Sequence, residues 1–141
     1  MKKTMIQEYK DILINDLCAR LKCGVIAMEN EDEPPFKIVA YDGLDFIDDG
    51  DWEHRVEKIR PYLYPLTSMT EEQKNEYLNI VNYISPDDTD NWTEGEFIYV
   101  NRFQALLNFY HRYHLDYRGL IEKGIAIDAT TTNVYLNYNR I

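Results

Sequence analysis

The stretch from residue 100 to residue 128 constrains the fold of this chain most, because it starts with the clearest helical period in the sequence and then breaks it. Apolar side chains recur in its first half at three- and four-residue steps, which places them on one face of a helix. The residues on that face are Phe103, Leu106, Leu107, Tyr110 and either Tyr113 or His114. Gly119 and Gly124 follow, before the short apolar run 125–127. We therefore predict a helix over 98–114, a tight connection and a short strand.

Another helix is predicted over residues 4–22, where apolar side chains follow the same spacing. Gly24 lies directly behind it, at the place where a residue in the left-handed conformation commonly ends a helix. Cys18 and Cys23 are the only cysteines, and their spacing lacks the second pair of ligands that a structural zinc site requires. We expect both to be reduced thiols, and Cys18 to be a small, buried apolar side chain.

A third helix is predicted over residues 70–84, because capping-box patterns stand at its start. Both Ser68 and Thr70 are followed three residues later by Glu or Gln. Two prolines, four residues apart in the preceding segment 59–66, favour an extended conformation there. The side chains expected to face inward from this helix are Tyr77, Ile80, Val81 and Ile84.

Between residues 25 and 56, short apolar and β-branched runs alternate with turn residues, which is typical of strands. The Asp42-Gly43 dipeptide favours a hairpin turn. In the last run, Trp52, His54 and Val56 would share one face. The pattern predicts a small antiparallel meander with strands at 25–28, 36–41, 44–47 and 52–56.

Together these elements predict an α+β fold with about three helices packed on a small, mainly antiparallel β-sheet. A chain of 141 residues fits one domain and is long enough to bury a core. We expect a single globular domain over 1–128. The polar tail over 129–141 is expected to form an edge strand or to be partly disordered.

The charge of the chain limits its partners. The formal net charge is −10 and the pI is near 4.7, so the surface repels phosphate backbones and anionic lipid. Direct nucleic-acid binding and membrane binding are therefore not expected. Glu8 and Asp11 interrupt any apolar run behind the basic amino terminus, so we predict no signal peptide and a cytoplasmic location.

Acidic loops and three histidines raise the question of a metal site. An EF-hand loop starting at Asp45 would place Asp49 correctly, but an isoleucine falls at the third position and a valine at the twelfth. His111 and His114 lie three apart on a predicted helix, and His54 would complete a set of three. Turn formation by the aspartates, and an interaction of protonated His114 with the helix dipole, are simpler interpretations. We predict no metal or cofactor, with His54, His111, His114, Asp45 and Asp49 as the candidate ligands should one bind.

The sequence from Asp116 to Gly119 has two interpretations. Tyr117 and Arg118, beside a glycine turn, could recognise a carboxylate or a phosphate. Alternatively they form a structural clamp, in which Arg118 bonds carbonyl groups at the end of the preceding helix. In that clamp Gly119 supplies a positive φ and Tyr117 packs against the core. We favour the clamp.

Three blocks of sequence resemble a known family when they are taken together. They are 16–21 (DLCARL) followed by Gly24-Val25, 59–63 (IRPYL) leading to 68–72 (SMTEE), and 116–121 (DYRGLI) followed by Lys123-Gly124. The set resembles a family of short uncharacterised proteins from gut-dwelling anaerobic bacteria, often associated with phage-like or mobile elements. Lys22-Cys23 departs from the Pro-Tyr of the family's first block. The resemblance implies a bacterial cytosolic protein and carries over no functional residue.

No nucleotide-binding, nucleophile-elbow or kinase pattern is present in the sequence, so we do not favour an enzyme. The leading hypothesis is a non-catalytic interaction or accessory module that binds an unidentified protein through an aromatic-rich, acidic surface. Twelve tyrosines and two tryptophans favour it, and the interaction candidates are Trp92, Tyr117 and Arg118. The alternatives are a small metal-dependent hydrolase that uses His54 and the acidic loop, and an acidic inhibitor that mimics nucleic acid.

Overall fold

The computed structural model describes residues 5–82 and 103–138, with the backbone alone described for 137 and 138. This part of the chain forms four α-helices and a six-stranded sheet, which confirms the predicted α+β class. The helices are α1 (Gln7–Arg20), α2 (Glu71–Asn82), α3 (described over 103–112) and α4 (Val134–Tyr138). The strands are β1 (Ile26–Met28), β2 (Phe36–Tyr41), β3 (Asp45–Asp48), β4 (Glu53–Arg55), β5 (Arg60–Leu63) and β6 (Ile127–Asp128).

The sheet has the strand order β4-β3-β2-β1-β5-β6. All neighbouring pairs are antiparallel except β5 and β6, which run parallel. The four strands of the predicted meander are therefore confirmed, with each bound within one residue of the prediction. A parallel bridge between Tyr64 and Leu115 continues the pairing beyond β5 and ties the end of α3 to the sheet.

Helix α1 covers one face of the sheet. Its buried residues are Leu13, Asp16, Leu17 and Arg20, which share one helical stripe. Cys18 lies a third of a turn away from Leu17 and is exposed, so its predicted burial is wrong. The stripe instead includes Asp16 and Arg20, because their charges are paired with each other. Gly24, with a φ of +72°, ends the 3₁₀ turn that follows α1 and has the left-handed conformation that we predicted.

The C-terminal tail covers the opposite face. Side chains alternate along a strand, so Ile26 points away from the core beneath α1 and packs against Ala129, Val134 and Tyr135. Residues 134–138 form α4, and the predicted edge strand is therefore wrong over these residues. A helix buries Val134 and Tyr135 on one side of a short segment, which an edge strand of alternating residues would not do.

Helices α2 and α3 pack through aromatic side chains, with Tyr77 of α2 against Phe109 and Tyr110 of α3. The buried residues of α3 are Phe109 and His111, whereas Phe103 of the predicted inner face is 56% exposed. Apolar and aromatic residues of α3 lie on most of its sides, so their spacing alone does not show which side faces the core. Ile84 lies outside the described residues. Within the described part of the chain, no helix is long and apolar enough to cross a bilayer.

Candidate functional site

A buried ion-pair network joins α1 to the segment after α3. Asp16 and Arg20 are fully buried, and Arg20 donates from Nε and Nη2 to the two carboxylate oxygens of Asp16 at 2.8 and 3.2 Å. Nη2 also donates to the carbonyl of Leu115 at 2.7 Å. Arg118 is partly exposed and donates from Nε to Asp16 at 3.1 Å. Two guanidinium groups thus compensate one buried carboxylate, while Nη1 of Arg20 has no acceptor among the described residues.

Tyr117 and His111 extend this network. The Tyr117 ring stacks on Tyr110 with centroids 4.9 Å apart, and its hydroxyl lies 2.8 Å from Nε2 of His111. Burial, and next the charge of Arg20, lowers the pKa of His111 from 6.5 to about 4, against an opposing effect of Asp16. His111 is therefore neutral at pH 7 and serves as a hydrogen-bonding partner within the fold.

The contacts of Tyr117 and Arg118 match a clamp, with one change of partner. Gly119 has a φ of +71°, as the clamp requires. The carbonyl group at the end of α3 is bonded by Arg20, however, and Arg118 bonds a carboxylate of α1 instead. The predicted Arg118 contact is wrong because the competing arginine is 95 residues away in sequence. Trp92, the third interaction candidate, lies outside the described residues.

His114 ends α3 in the left-handed conformation, with a φ of +55°. Its own N–H and that of the next residue bond back to carbonyl groups of the last helical turn, which is a Schellman motif. The ring stacks on Tyr135 with centroids 3.7 Å apart. Burial, followed by the charge of Arg20, lowers the pKa of His114 from 6.5 to about 4. The predicted interaction of a protonated His114 with the helix dipole is therefore wrong at neutral pH, because burial outweighs it.

His54, on β4, lies between two carboxylates. Its Nδ1 is 3.2 Å from Glu29 and its Nε2 is 2.8 Å from Asp48, while its ring stacks on Phe36. Burial raises the pKa of Asp48, but hydrogen bonds from His54 and from two backbone N–H groups of the next turn outweigh burial and lower it. Both ring nitrogens therefore lie within hydrogen-bonding distance of a carboxylate of the protein.

The structure does not bring the candidate metal ligands together. His54 lies on β4, whereas His111 and His114 belong to the end of α3. Asp45 lies on β3, and Asp49 lies in the turn that follows. Over residues 5–82 and 103–138, no group of three or more His, Cys, Asp or Glu side chains is arranged to hold a metal ion.

A cleft of about 750 Å³ opens beside the start of α1, and we call it the cationic cleft. Four segments form it: the start of α1 with the two residues before it, the residue after β1, the connection from β4 into the start of β5, and the turn before β6. Its apolar side chains are Met5, Ile6, Tyr9 and Ile125, and its charged side chains are Glu29, Glu57, Lys58, Arg60 and Lys123. Its volume falls in the range of ligand-binding sites.

Three cations, Lys58, Arg60 and Lys123, outnumber two carboxylates, Glu29 and Glu57, in this cleft, whereas the chain as a whole has a net charge of −10. Lys58 and Arg60 are exposed and form no ion pair with any residue that the structure describes. Lys123 donates to a backbone carbonyl at 3.3 Å and has no described carboxylate partner either. Glu29 is turned toward the histidine of β4. Glu57 is thus the one carboxylate of the cleft without a described partner. None of the three cations has a described carboxylate partner.

The N-terminus of α1 adds an unusual residue to the cleft. Ile6 occupies the N-cap position, where Ser, Thr, Asp or Asn normally accepts a hydrogen bond from the first turn. Ile6 makes no such bond and is 55% exposed. An exposed apolar residue at this position does not benefit the helix, and such departures from local preference are expected at functional surfaces.

A second cavity of about 470 Å³ lies between the start of α2, the end of α3 and α4. Burial raises the pKa of Tyr64 and of Tyr135, and a bond to Glu76 followed by burial raises that of Tyr113. His114 in the same cavity has its pKa lowered. Every shift keeps the side chain uncharged at pH 7, so the cavity presents no acid or base with a pKa near neutrality.

Comparison with known proteins adds no relative. Neither the protein-family models nor the curated proteins nor the solved structures contain a match to this chain. The resemblance of the three sequence blocks stays a prediction.

Sequence reasoning missed the cationic cleft, although part of it could have been found. Lys58 and Arg60 lie on either side of Ile59, the first residue of the segment predicted to be extended, so the sequence alone places these two cations close together. No pattern in the sequence links them to Ile6 or to Lys123, because these contacts depend on the fold of α1 and of the turn before β6.

Proposed function

We propose that this protein is a non-catalytic interaction module that binds a partner protein through the cationic cleft. The observation that carries the proposal is the combination of apolar side chains with three cations that lack a described carboxylate partner, in a chain of net charge −10. The sequence predicts an aromatic-rich, acidic surface as the contact. The cationic cleft supports binding through a different surface from the one that the sequence predicts.

The composition of the cleft fits a protein interface. Tyr, Met and Arg are enriched in such interfaces, and the cleft contains Tyr9, Met5 and Arg60. Ile6 is an exposed apolar residue that a partner would cover, and Lys58 in the same cleft would gain a counter-charge. On the resemblance of the sequence blocks, we further propose a bacterial cytosolic setting linked to mobile elements.

Affinity capture with matched charge variants tests the proposal. The wild-type protein, a K58E/R60E variant and a K22E/K74E control are immobilised, and the proteins that each retains from a bacterial lysate are identified by mass spectrometry. The two variants change the net charge equally, but Lys22 and Lys74 lie outside the cleft. Differences between them therefore report on the cleft and not on total charge.

We expect the wild-type protein and the control to retain the same partner, and the K58E/R60E variant to lose it. A partner that all three proteins retain equally would contradict the proposal, because its binding would then use another surface. Circular dichroism of each variant checks that the fold is intact.

A further inference from the structure

We infer that the occupant of the cationic cleft is an acidic, amphipathic peptide segment of the partner. The inference rests on the proposed function and names the chemistry of the ligand. Carboxylates of the segment would pair with Lys58, Arg60 and Lys123, and its apolar side chains would cover the apolar part of the cleft, which includes Ile6 and Tyr9. This arrangement satisfies the two kinds of group that the cleft leaves exposed.

The positions of the cations support a peptide. Ile59 is buried and extended, with φ −112° and ψ 151°, so the Cα atoms of the flanking Lys58 and Arg60 lie about 7 Å apart, and both residues line the cleft. Carboxylates two residues apart on a strand, or one turn apart on a helix, have a similar spacing. Lys123 also lines the cleft, and its ammonium group donates to the carbonyl of Arg118 at 3.3 Å.

The apolar part of the cleft provides an independent argument. Ile6 leaves the N-cap of α1 without a side-chain acceptor, although Ser or Asp there would stabilise the helix. Its side chain lines the cleft with the half-buried Met5 and Tyr9, whereas Ile125 in the same lining is buried in the core. A ligand with charge alone would not use this surface, whereas an amphipathic segment uses both parts of the cleft.

Charge favours a peptide over a membrane surface. A molecule with a net charge of −10 is repelled as a whole by an anionic bilayer. A short peptide brings few charges, and those on the far side of the protein are screened over about 8 Å at physiological ionic strength. The cleft also contains Glu57, which disfavours a densely anionic headgroup layer.

Fluorescence anisotropy with a defined probe tests the inference. The probe is a labelled peptide with leucines at helical spacing and glutamates between them, and its control carries glutamine in place of every glutamate. We expect the wild-type protein to bind the glutamate peptide about tenfold more tightly than the control peptide. The K58E/R60E variant should lose about tenfold in affinity for the glutamate peptide, and the K22E/K74E variant should bind it as the wild-type protein does.

A second variant separates binding from folding. Ile6→Ser removes an apolar contact of the cleft while it supplies an N-cap acceptor to α1. We expect this variant to bind the glutamate peptide several-fold more weakly and to melt at a higher temperature than the wild-type protein. Weaker binding together with a lower melting temperature would indicate general destabilisation and would count against the inference.

Three outcomes would overturn it: equal affinity for the glutamate and glutamine peptides, preferential binding to vesicles of anionic lipid, or displacement of the probe by a peptide of residues 87–99 of this chain. The last would assign the cleft to the chain's own acidic segment. If the glutamate peptide fails while capture of a partner still depends on Lys58 and Arg60, the ligand chemistry is wrong and the proposed function stands.

Discussion

Arg20 is the central residue of the buried ion-pair network. It is fully buried, holds both oxygens of Asp16 and closes the end of α3 through the Leu115 carbonyl. Removing one partner of a buried ion pair leaves the other charge without water and without its main counter-ion. Arg118 bonds the same carboxylate, but its side chain is 37% exposed.

We predict that Arg20→Ala lowers the free energy of unfolding by about 3–5 kcal/mol. Arg118→Ala should lower it by about 1 kcal/mol or less, because water can replace part of a partly exposed pair. Urea denaturation of both variants measures the difference. Equal losses would mean that the network does not depend on Arg20 as the structure indicates.

The two histidines at the end of α3 predict how stability depends on pH. The pKa of each is lowered from 6.5 to about 4, so the unfolded chain binds more protons than the folded one between these values. Stability should therefore be fully present above about pH 6.5 and decrease as the pH falls toward 4.

Melting temperatures of the wild-type protein and of an H111Q/H114Q variant, taken from pH 7 to pH 4, test this prediction. The variant should lose less stability over this range than the wild-type protein, since carboxylate titration is common to both. Parallel curves would show that the histidines are not responsible.

At the residue scale, the sequence predicted backbone conformation better than the hydrogen-bond partners of side chains. Gly119 and Gly24 have the positive φ that their positions after helical segments indicated. The choice of Arg20 over Arg118 at the α3 carbonyl depends on a contact between distant segments, which no local pattern encodes.

At the scale of elements, α1 and α2 begin in different ways. Thr70 and Gln73 form a reciprocal capping box at the start of α2, with bonds of 3.0 and 3.1 Å. Ser68 instead donates to the carbonyl of Pro65, so the alternative box is not formed. Helix α1 has Ile6 at its N-cap and no side-chain bond there.

We predict opposite effects of substitutions at the two caps. Thr70→Ala should lower the free energy of unfolding by about 1 kcal/mol, and Ile6→Ser should raise it by about 0.5–1 kcal/mol. Thermal denaturation of the two variants provides the measurement. A loss of stability in both would mean that Ile6 contributes more by packing than its exposure indicates.

The strands and the first helices could be predicted because their determinants are local. Turn dipeptides, alternation and caps lie within the segments that they define, as Asp42-Gly43 and the box at Thr70 show. The tail could not be predicted, because α4 is stabilised by Val134 and Tyr135 packing on Ile26 of β1. For α3, the predicted inner face included the exposed Phe103 and omitted Phe109, which is buried and packs on Tyr77 of α2, because apolar residues lie on several sides of this helix.

At the scale of the whole molecule, the acidic charge of the chain is unevenly distributed. A net charge of −10 predicts an anionic surface, yet the cationic cleft gathers Lys58, Arg60 and Lys123 from segments far apart in sequence. Total charge therefore describes solubility and long-range repulsion, whereas local recognition depends on which side chains the fold places together.

The most direct test of the central claim is to map the contact surface of the acidic amphipathic probe by nuclear magnetic resonance. Backbone amide shifts of the isotopically labelled protein are followed as the peptide is added. We predict that the shifts change at residues 5–9, 29, 57–60 and 123–125, which form the cationic cleft. Changes confined to other surfaces, such as the turns around the exposed Leu44 and Trp52, or no changes at all, would contradict it.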